Sequence, residues 1–150
     1  MTDSETKHSV RRIYFRGLLL TIILFSFHTA VIFEMAYNLH RLASPLKNYY
    51  SDHLGGPLII ILCFFVLFIT HTLEAAAWAF LFWRHGQFRT FGESMYFTGT
   101  SLTALGYGDV VLHTKSRGLG PVMATNGILM FGCSTAFLFF VIQSIWTVIR

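Results

Sequence analysis

The sequence has few charged residues, and this scarcity excludes an ordinary soluble domain. Only 12% of its 150 residues are Asp, Glu, Lys or Arg, against about 25% in typical soluble domains. Cysteine is also scarce: Cys63 and Cys133 lie far apart in apolar runs, with no Cys or His nearby at metal-ligand spacing. We therefore expect both to be small buried hydrophobic residues. The length predicts one domain with no appended sensor module.

Apolar residues are abundant instead. Hydrophobic residues make up 54% of the chain and aromatic residues 17%, and the basic residues flank the apolar runs. This placement suits anionic lipid headgroups better than nucleic acid, because the sequence has neither a basic helix nor a groove of interleaved basic and aromatic residues. We expect the lipid bilayer as a partner and no nucleic acid.

Three apolar segments are long enough to cross a membrane. Residues 17–37 would form about 32 Å of helix, and the hydrocarbon core of a bilayer is about 30 Å thick. Residues 57–83 begin with Pro57, which suits the first turn of a helix because its missing N–H costs nothing there. Trp78 and Trp83 near the end of this segment suit a membrane interface. Residues 121–149 form the third span, and residues 1–16 form a polar N-terminal segment.

Between the second and third spans lies a more polar stretch that contains Thr103-Ala104-Leu105-Gly106-Tyr107-Gly108-Asp109. Glycine adopts positive φ at little steric cost, which Gly106 and Gly108 need if successive carbonyl groups are to point the same way. Carbonyl groups so arranged replace the water shell of a passing cation. Residues 91–110 are predicted to hold a short pore helix and a selectivity filter, and the negative end of the helix dipole would favour the cation. This pattern predicts a potassium-selective channel.

A segment of this kind is re-entrant, because it is too polar to cross the membrane. Its non-helical backbone is tolerated at membrane depth only where protein surrounds it or where it lines a water-filled cavity. One chain cannot wall a ring of carbonyl groups, so four copies around an axis are required. We predict an all-α membrane protein with three transmembrane helices, a re-entrant pore helix and a selectivity filter, assembled as a homotetramer.

Several strings within residues 71–145 carry a family likeness. They are Met95-Tyr96-Phe97, Ser101-Leu102-Thr103, Leu105-Gly106-Tyr107-Gly108-Asp109-Val110, Asn126-Gly127 and Gly132-Cys133-Ser134-Thr135-Ala136. In these strings the chain resembles the small prokaryotic pore-loop potassium channels that have a single pore module. Gly-Tyr-Gly alone is a weak signal, but it is specific when it lies between two spans and follows a pore-helix pattern.

The resemblance implies a role for each residue of the filter. Main-chain oxygens would coordinate K⁺, and Asp109 would lie at the outer mouth as a negative charge and a hydrogen-bond partner. The family usually has Thr where this chain has Ala104, so the innermost ion site would be weakened while selectivity is largely kept. The implied ion-binding residues are Ala104, Leu105, Gly106, Tyr107 and Gly108. The implied supporting residues are Thr103, Asp109, Tyr96 and Phe97. The Thr103 side chain would point away from the axis, and the Tyr107 ring would pack behind the filter.

Ionisable residues also occur inside the predicted spans. His71 and Glu74 are three residues apart, so they share one face of a helix. Such groups usually face a bundle interior or a cavity. We interpret them as a hydrogen-bonded packing pair, with a proton-sensitive latch or a metal site as the alternative. Together with His28 and Glu34 they could form an intramembrane metal or heme site.

Three residues of the last span are candidates for a gate or a cavity. Glycine lowers the cost of bending a helix, and small residues also allow close helix packing. We favour packing for Gly127 and a hinge for Gly132. Asn126 would either line the cavity below the filter or bond a neighbouring helix.

These features predict a multi-pass protein of the cell (inner) membrane that conducts K⁺ passively, catalyses no reaction and needs no cofactor. The alternatives are a nonselective cation channel, the metal or heme protein described above, and a non-conducting regulatory subunit.

If all three segments cross, eight Lys and Arg lie on the side of the filter mouth and three on the other. The positive-inside rule would then place that mouth in the cytoplasm. The family places it outside, and we keep three spans with an external N-terminus.

Overall fold

The computed structural model describes the backbone of residues 3–49 and 52–149, and the side chains of residues 10–39, 41 and 55–146. Over these ranges the chain is helical and contains no β-strand, which confirms the predicted all-α class. The elements in chain order are α1 (Asp3–Tyr49), α2 (Asp52–Arg84), α3 (Phe91–Leu102), a 3-10 turn (Thr114–Ser116) and α4 (Leu119–Ile149).

Three of these helices contain the apolar segments expected of a membrane protein. Within the described residues, Val10–Leu39, Gly55–Arg84 and Leu119–Trp146 are each long and apolar enough to cross a bilayer, which needs about 20 residues of helix. Large apolar side chains such as Phe33 and Phe64 are more than half exposed. Exposure of this kind carries no penalty when the surrounding solvent is hydrocarbon.

The helices extend beyond the predicted spans. α1 begins at Asp3 rather than at residue 17, because residues 3–16 contain no Gly or Pro that would end a helix. Residues 1 and 2 of the predicted polar segment lie outside the described residues. α2 begins at Asp52, so Pro57 lies inside the helix rather than in its first turn as predicted. α4 begins at Leu119, two residues before the predicted start of the third span.

The described chain divides into two compact units, and the first contains the predicted pore helix. It comprises residues up to Ser26 and residues Thr72–Met130. Its core joins the start of α1, the end of α2, α3 and the start of α4. Trp78 is fully buried in this core, so the expectation that it lies at a membrane interface is wrong; Trp83 is 42% exposed. The main buried members of the core are Ile13, Leu24, Trp78, Phe82, Phe88, Phe97, Leu102, Leu119, Met123 and Met130.

The second unit comprises residues Phe27–His71 and Phe131–Arg150. Its core joins the end of α1, the start of α2 and the end of α4, through Leu39, Ile59, Leu67, Phe137 and Val141. Cys63 is buried in the same core and is a free thiol, as expected. Cys133 is also free but only partly buried.

Candidate functional site

α3, the predicted pore helix, has a well-capped start. Thr90 precedes it in an extended conformation, and its hydroxyl accepts a hydrogen bond from the Glu93 amide at 3.1 Å. The Glu93 carboxylate accepts in turn from the Arg89 amide at 3.2 Å. This pairing resembles a capping box, and it also places a negative charge at the positive end of the helix dipole. The local sequence therefore defines where α3 begins.

α3 is anchored to α2 by one buried hydrogen bond and an aromatic cluster. The Ser94 hydroxyl donates to the Ala79 carbonyl at 2.7 Å, and Ser94 is fully buried. The ring of Phe97 packs against Phe82 and Phe88, with centroid distances of 5.7 Å and 5.1 Å. Phe97 thus lies in the core, although the resemblance placed it behind the filter beside Tyr96. Aromatic packing of this kind fixes the position of α3 because the rings interlock in defined geometries.

The end of α3 is hydrogen-bonded to the predicted filter segment, residues 103–109. The Gly106 amide donates to the Thr100 carbonyl at 3.0 Å, and the Ala104 amide donates to the Ser101 carbonyl at 3.0 Å. The Thr103 hydroxyl donates back to the Gly99 carbonyl at 2.7 Å, so its side chain is engaged with the helix. The two amide hydrogen bonds satisfy carbonyl groups in the last turn of the helix, whereas the Gly99 carbonyl also accepts from the Thr103 amide at 3.2 Å.

The backbone φ angle alternates in sign along the predicted filter segment. Ala104, Gly106 and Gly108 have φ of 59°, 53° and 80°, whereas Leu105 and Tyr107 between them do not have positive φ. Residues of alternating hand place successive peptide groups on the same side of the chain, instead of on opposite sides as in a β-strand. Successive carbonyl oxygens so placed can replace the water around a cation. Positive φ at both glycines confirms the expectation from their spacing.

The positive φ of Ala104 was missed by sequence reasoning. Alanine in the left-handed region costs about 1–2 kcal/mol, because its Cβ approaches the following carbonyl oxygen. Alanine gives no signal in the sequence that it will adopt this conformation. The bonds from Ala104 and Gly106 to the end of α3 accompany it, so local hydrogen bonds that close the helix hold a conformation that alanine itself disfavours.

Asp109 closes the outer end of the segment. Its carboxylate accepts from the Tyr96 hydroxyl at 2.8 Å and from the Val110 amide at 3.0 Å. The hydrogen bond to Asp109 raises the pKa of the Tyr96 phenol above its usual 10, because ionisation would remove the donor and place two negative charges together. Tyr96 therefore stays a neutral donor at physiological pH. The hydrogen bond joins Tyr96 and Asp109, and their role in supporting a filter stays a prediction.

The filter segment is exposed in the isolated chain. All residues from Thr103 to Asp109 are exposed, and Leu105 and Tyr107 are 59% and 67% exposed. Within one chain, the Tyr107 ring is therefore not packed behind the filter. Both side chains are therefore available for contact with lipid or with another copy of the chain.

α4 supports the end of α3 through Gly127. A Cβ added at this glycine would lie 2.5 Å from the carbonyl oxygen of Leu102, so only glycine fits. Asn126 is 2% exposed and its Nδ2 has no hydrogen-bond partner among the described residues. An added Cβ at Gly132 would meet no atom within 4 Å. Of the three candidate gate or cavity residues, Gly127 is therefore a packing residue, and Gly132 is the one with free space around it.

The ionisable residues of the spans differ in exposure. In the second unit, the Ser134 hydroxyl lies 3.0 Å from His71 Nε2 and 3.1 Å from His28 Nε2, and the two imidazole rings have a centroid distance of 4.9 Å. His28 is fully buried. Glu34 is exposed and accepts from Asn38 Nδ2, one turn along α1. In the first unit, Glu74 is fully buried.

The hydroxyl of Ser134 was not singled out as a partner for either histidine. It can donate to one Nε2 and accept from the other, so the arrangement satisfies both rings if they carry complementary tautomers. This geometry is compatible with a hydrogen-bonded packing role for the two histidines; the metal or heme site stays an untested alternative.

One family model matches the chain. It is described as an ion channel, and it matches residues 58–144, which is more than half of the chain and includes α3, the filter segment and most of α4. No curated protein and no solved structure matches the chain.

Proposed function

Because the chain belongs to the ion channel family, and is a multi-pass membrane protein with three long apolar helices, we propose that it conducts K⁺ passively through a homotetrameric pore. The permeant ion is driven by its electrochemical gradient. The chain catalyses no reaction and needs no cofactor. The proposed location is the cell (inner) membrane, with the lipid bilayer and three further copies of the chain as its partners.

The observation that carries this proposal is the alternating hand of residues 104–108. Positive φ at every second residue supports it, because a backbone of this kind can turn a short row of carbonyl oxygens to one side, where they would replace the hydration shell of K⁺. The segment directly follows a 12-residue helix. The C-terminal end of that helix carries the negative part of its dipole, which adds to the attraction for a cation.

The exposure of the filter segment supports the homotetramer. One chain supplies one row of oxygens and leaves Leu105 and Tyr107 largely uncovered. Four chains around an axis would close the ring of ligands and cover these side chains with neighbouring subunits. A ring of carbonyl groups from four identical segments is the arrangement that selects K⁺ over Na⁺ in such pores.

The contacts of α1 support three crossing spans. In the first unit, Arg16 near the start of α1 bonds His85 just beyond the end of α2. In the second unit, Leu39 near the end of α1 packs with Ile59 near the start of α2. On this proposal α1 crosses the membrane antiparallel to α2, and the N-terminus lies on the side of the filter mouth. We propose that this side is external.

Ala104 favours a second candidate, the nonselective cation channel. Its side chain lacks the hydroxyl that would give the innermost ring of ligands, so that ion site is weaker. The carbonyl oxygens of the remaining filter residues are unaffected by this loss, and we propose that K⁺ selectivity is largely kept. Reversal potentials under opposed K⁺ and Na⁺ gradients distinguish the two candidates.

The test is K⁺ flux from proteoliposomes that contain the purified chain alone, with and without external Ba²⁺. We expect Ba²⁺-sensitive flux with a clear preference for K⁺ over Na⁺. Gly106→Val should abolish it, since a β-branched residue is excluded from positive φ. Gly120→Val is the matched control, because Gly120 lacks positive φ and has no atom within 4 Å of an added Cβ. Liposomes that stay impermeable to K⁺, a stably monomeric protein, or equal loss of flux in both variants would contradict the proposal.

A further inference from the structure

A cavity of about 350 Å³ lies between α1 and α2 within the first unit. Its walls are apolar and include Leu19 and Ile23 of α1 and Phe80 of α2. These three side chains are 46%, 51% and 54% exposed, so the cavity is open along the surface of the helices. In a bilayer, an opening of this kind faces the hydrocarbon of the membrane.

One end of the cavity is polar and carries two positive charges. Arg16, Arg84 and His85 line it there, and Arg16 Nη1 lies 3.0 Å from His85 Nε2. A guanidinium only donates hydrogen bonds, so this nitrogen of His85 accepts and the imidazole is neutral. Burial, followed by the positive charges of Arg16 and Arg84, lowers the pKa of His85 below its usual 6.5. Among the described residues that line the cavity there is no acidic side chain.

The polar and apolar parts follow each other along the helix axes. Ile23 is seven residues beyond Arg16 in α1, which places it about 10 Å deeper, and Phe80 is four residues before Arg84 in α2, about 6 Å deeper. The apolar stretch of α2 ends at Arg84, so the two guanidiniums lie where the span meets the polar boundary of the bilayer. The cavity therefore has a cationic end at the membrane surface and an apolar wall that continues towards the interior.

We propose that this cavity binds one anionic phospholipid, with its phosphate on Arg16 and Arg84 and an acyl chain along Leu19, Ile23 and Phe80. Guanidinium groups pair with phosphate through two parallel hydrogen bonds. A free phosphate ion would use the cationic end but leave the apolar wall without a partner. A zwitterionic lipid would fill the wall but bring no net negative charge to two uncompensated guanidiniums. An anionic diacyl lipid matches both parts.

The test is native mass spectrometry of the purified chain in detergent, titrated with phosphatidylglycerol or with phosphatidylcholine. We expect tighter binding of phosphatidylglycerol, and a loss of about tenfold in its affinity in the double variant Arg16→Gln/Arg84→Gln. The matched control is Arg89→Gln/Lys115→Gln, which also removes two positive charges. Both residues are exposed, and neither lines the cavity. Equal binding of both lipids, or equal losses in both double variants, would overturn the proposal.

Two further measurements separate the site from simpler explanations. Ala77 also lines the cavity, so Ala77→Phe should fill the groove and weaken phosphatidylglycerol binding while both guanidiniums remain. This variant tests the site even if the double arginine variant fails to fold. Inorganic phosphate in millimolar excess should compete weakly; competition as strong as that of the lipid would identify a free-anion site and overturn the choice of a phospholipid.

Discussion

Replacing Gly127 with alanine tests whether α4 supports the filter through the end of α3. An added Cβ would lie 2.5 Å from the Leu102 carbonyl oxygen and 3.0 Å from its Cα. Backbone atoms cannot rotate away from such a contact, so α3 or α4 must move. Leu102 is the last residue of α3, two positions before Ala104. The displacement therefore passes directly into the filter segment.

The magnitude follows from two opposing contributions. Alanine is favoured over glycine inside a helix by about 1 kcal/mol, whereas overpacking of a close contact costs about 1–3 kcal/mol. Gly127→Ala should thus lower stability by roughly 0–2 kcal/mol. Gly132→Ala is the matched control in the same helix, because an added Cβ there meets no atom within 4 Å. It should gain the helix preference without the clash, so the two variants should differ by about 1–3 kcal/mol.

The assay combines thermal unfolding in detergent with K⁺ flux from proteoliposomes. For a chain of this size, the expected difference corresponds to several degrees in melting temperature. Gly127→Ala should also reduce the preference for K⁺ over Na⁺, whereas Gly132→Ala should keep it. If Gly127→Ala melts no lower than Gly132→Ala and keeps its ion preference, close packing of Gly127 on Leu102 does not support the filter.

Three further outcomes are expected. Tyrosine NMR should show Tyr96 ionising above pH 10, because its hydrogen bond to Asp109 is present at lower pH and is lost as pH rises through this raised pKa. Asp109→Asn should move the titration back towards 10. An unchanged titration would contradict the hydrogen bond. Neutral His85 accepts a hydrogen bond from Arg16, so the stability from this contact should be present above pH 6.5 and lost as pH falls through the lowered pKa of His85. Melting temperatures between pH 7.5 and 5 should show this loss. His85→Gln should remove this pH dependence. Ala104→Thr should strengthen block of K⁺ flux by Ba²⁺ from the inner side; unchanged block would argue against Ala104 at the innermost ring.

Hydropathy and turn chemistry predicted much of this fold. The three apolar segments follow from runs of residues that only hydrocarbon or a core can accommodate. A helix in this region was predicted, whereas its capping by Thr90 and Glu93 was not singled out. The extension of α1 to Asp3 was not predicted, because hydropathy does not distinguish a polar helix from a polar coil. The burial of Trp78 likewise depends on which helices surround it.

The predicted filter segment was only partly predictable, because its backbone depends both on residue type and on hydrogen bonds to the end of α3. Positive φ at Gly106 and Gly108 follows from the residue type. Positive φ at Ala104 does not, since it accompanies hydrogen bonds to the end of α3. Packing was favoured for Gly127 and a hinge for Gly132, and the position of Leu102 confirms the packing role of Gly127. The hydroxyl that reaches both His28 and His71 comes from a residue more than sixty positions away from either.

The hydrogen bond between Tyr96 and Asp109 joins two residues of the same chain, and this has a consequence for mixed assemblies. A tetramer formed from wild-type and Tyr96→Phe chains would contain any number of these bonds from none to four, set by its composition. Properties that depend on the outer end of the filter should therefore change in graded steps with the dose of variant chain. A bond between neighbouring subunits would instead depend on which chains lie side by side.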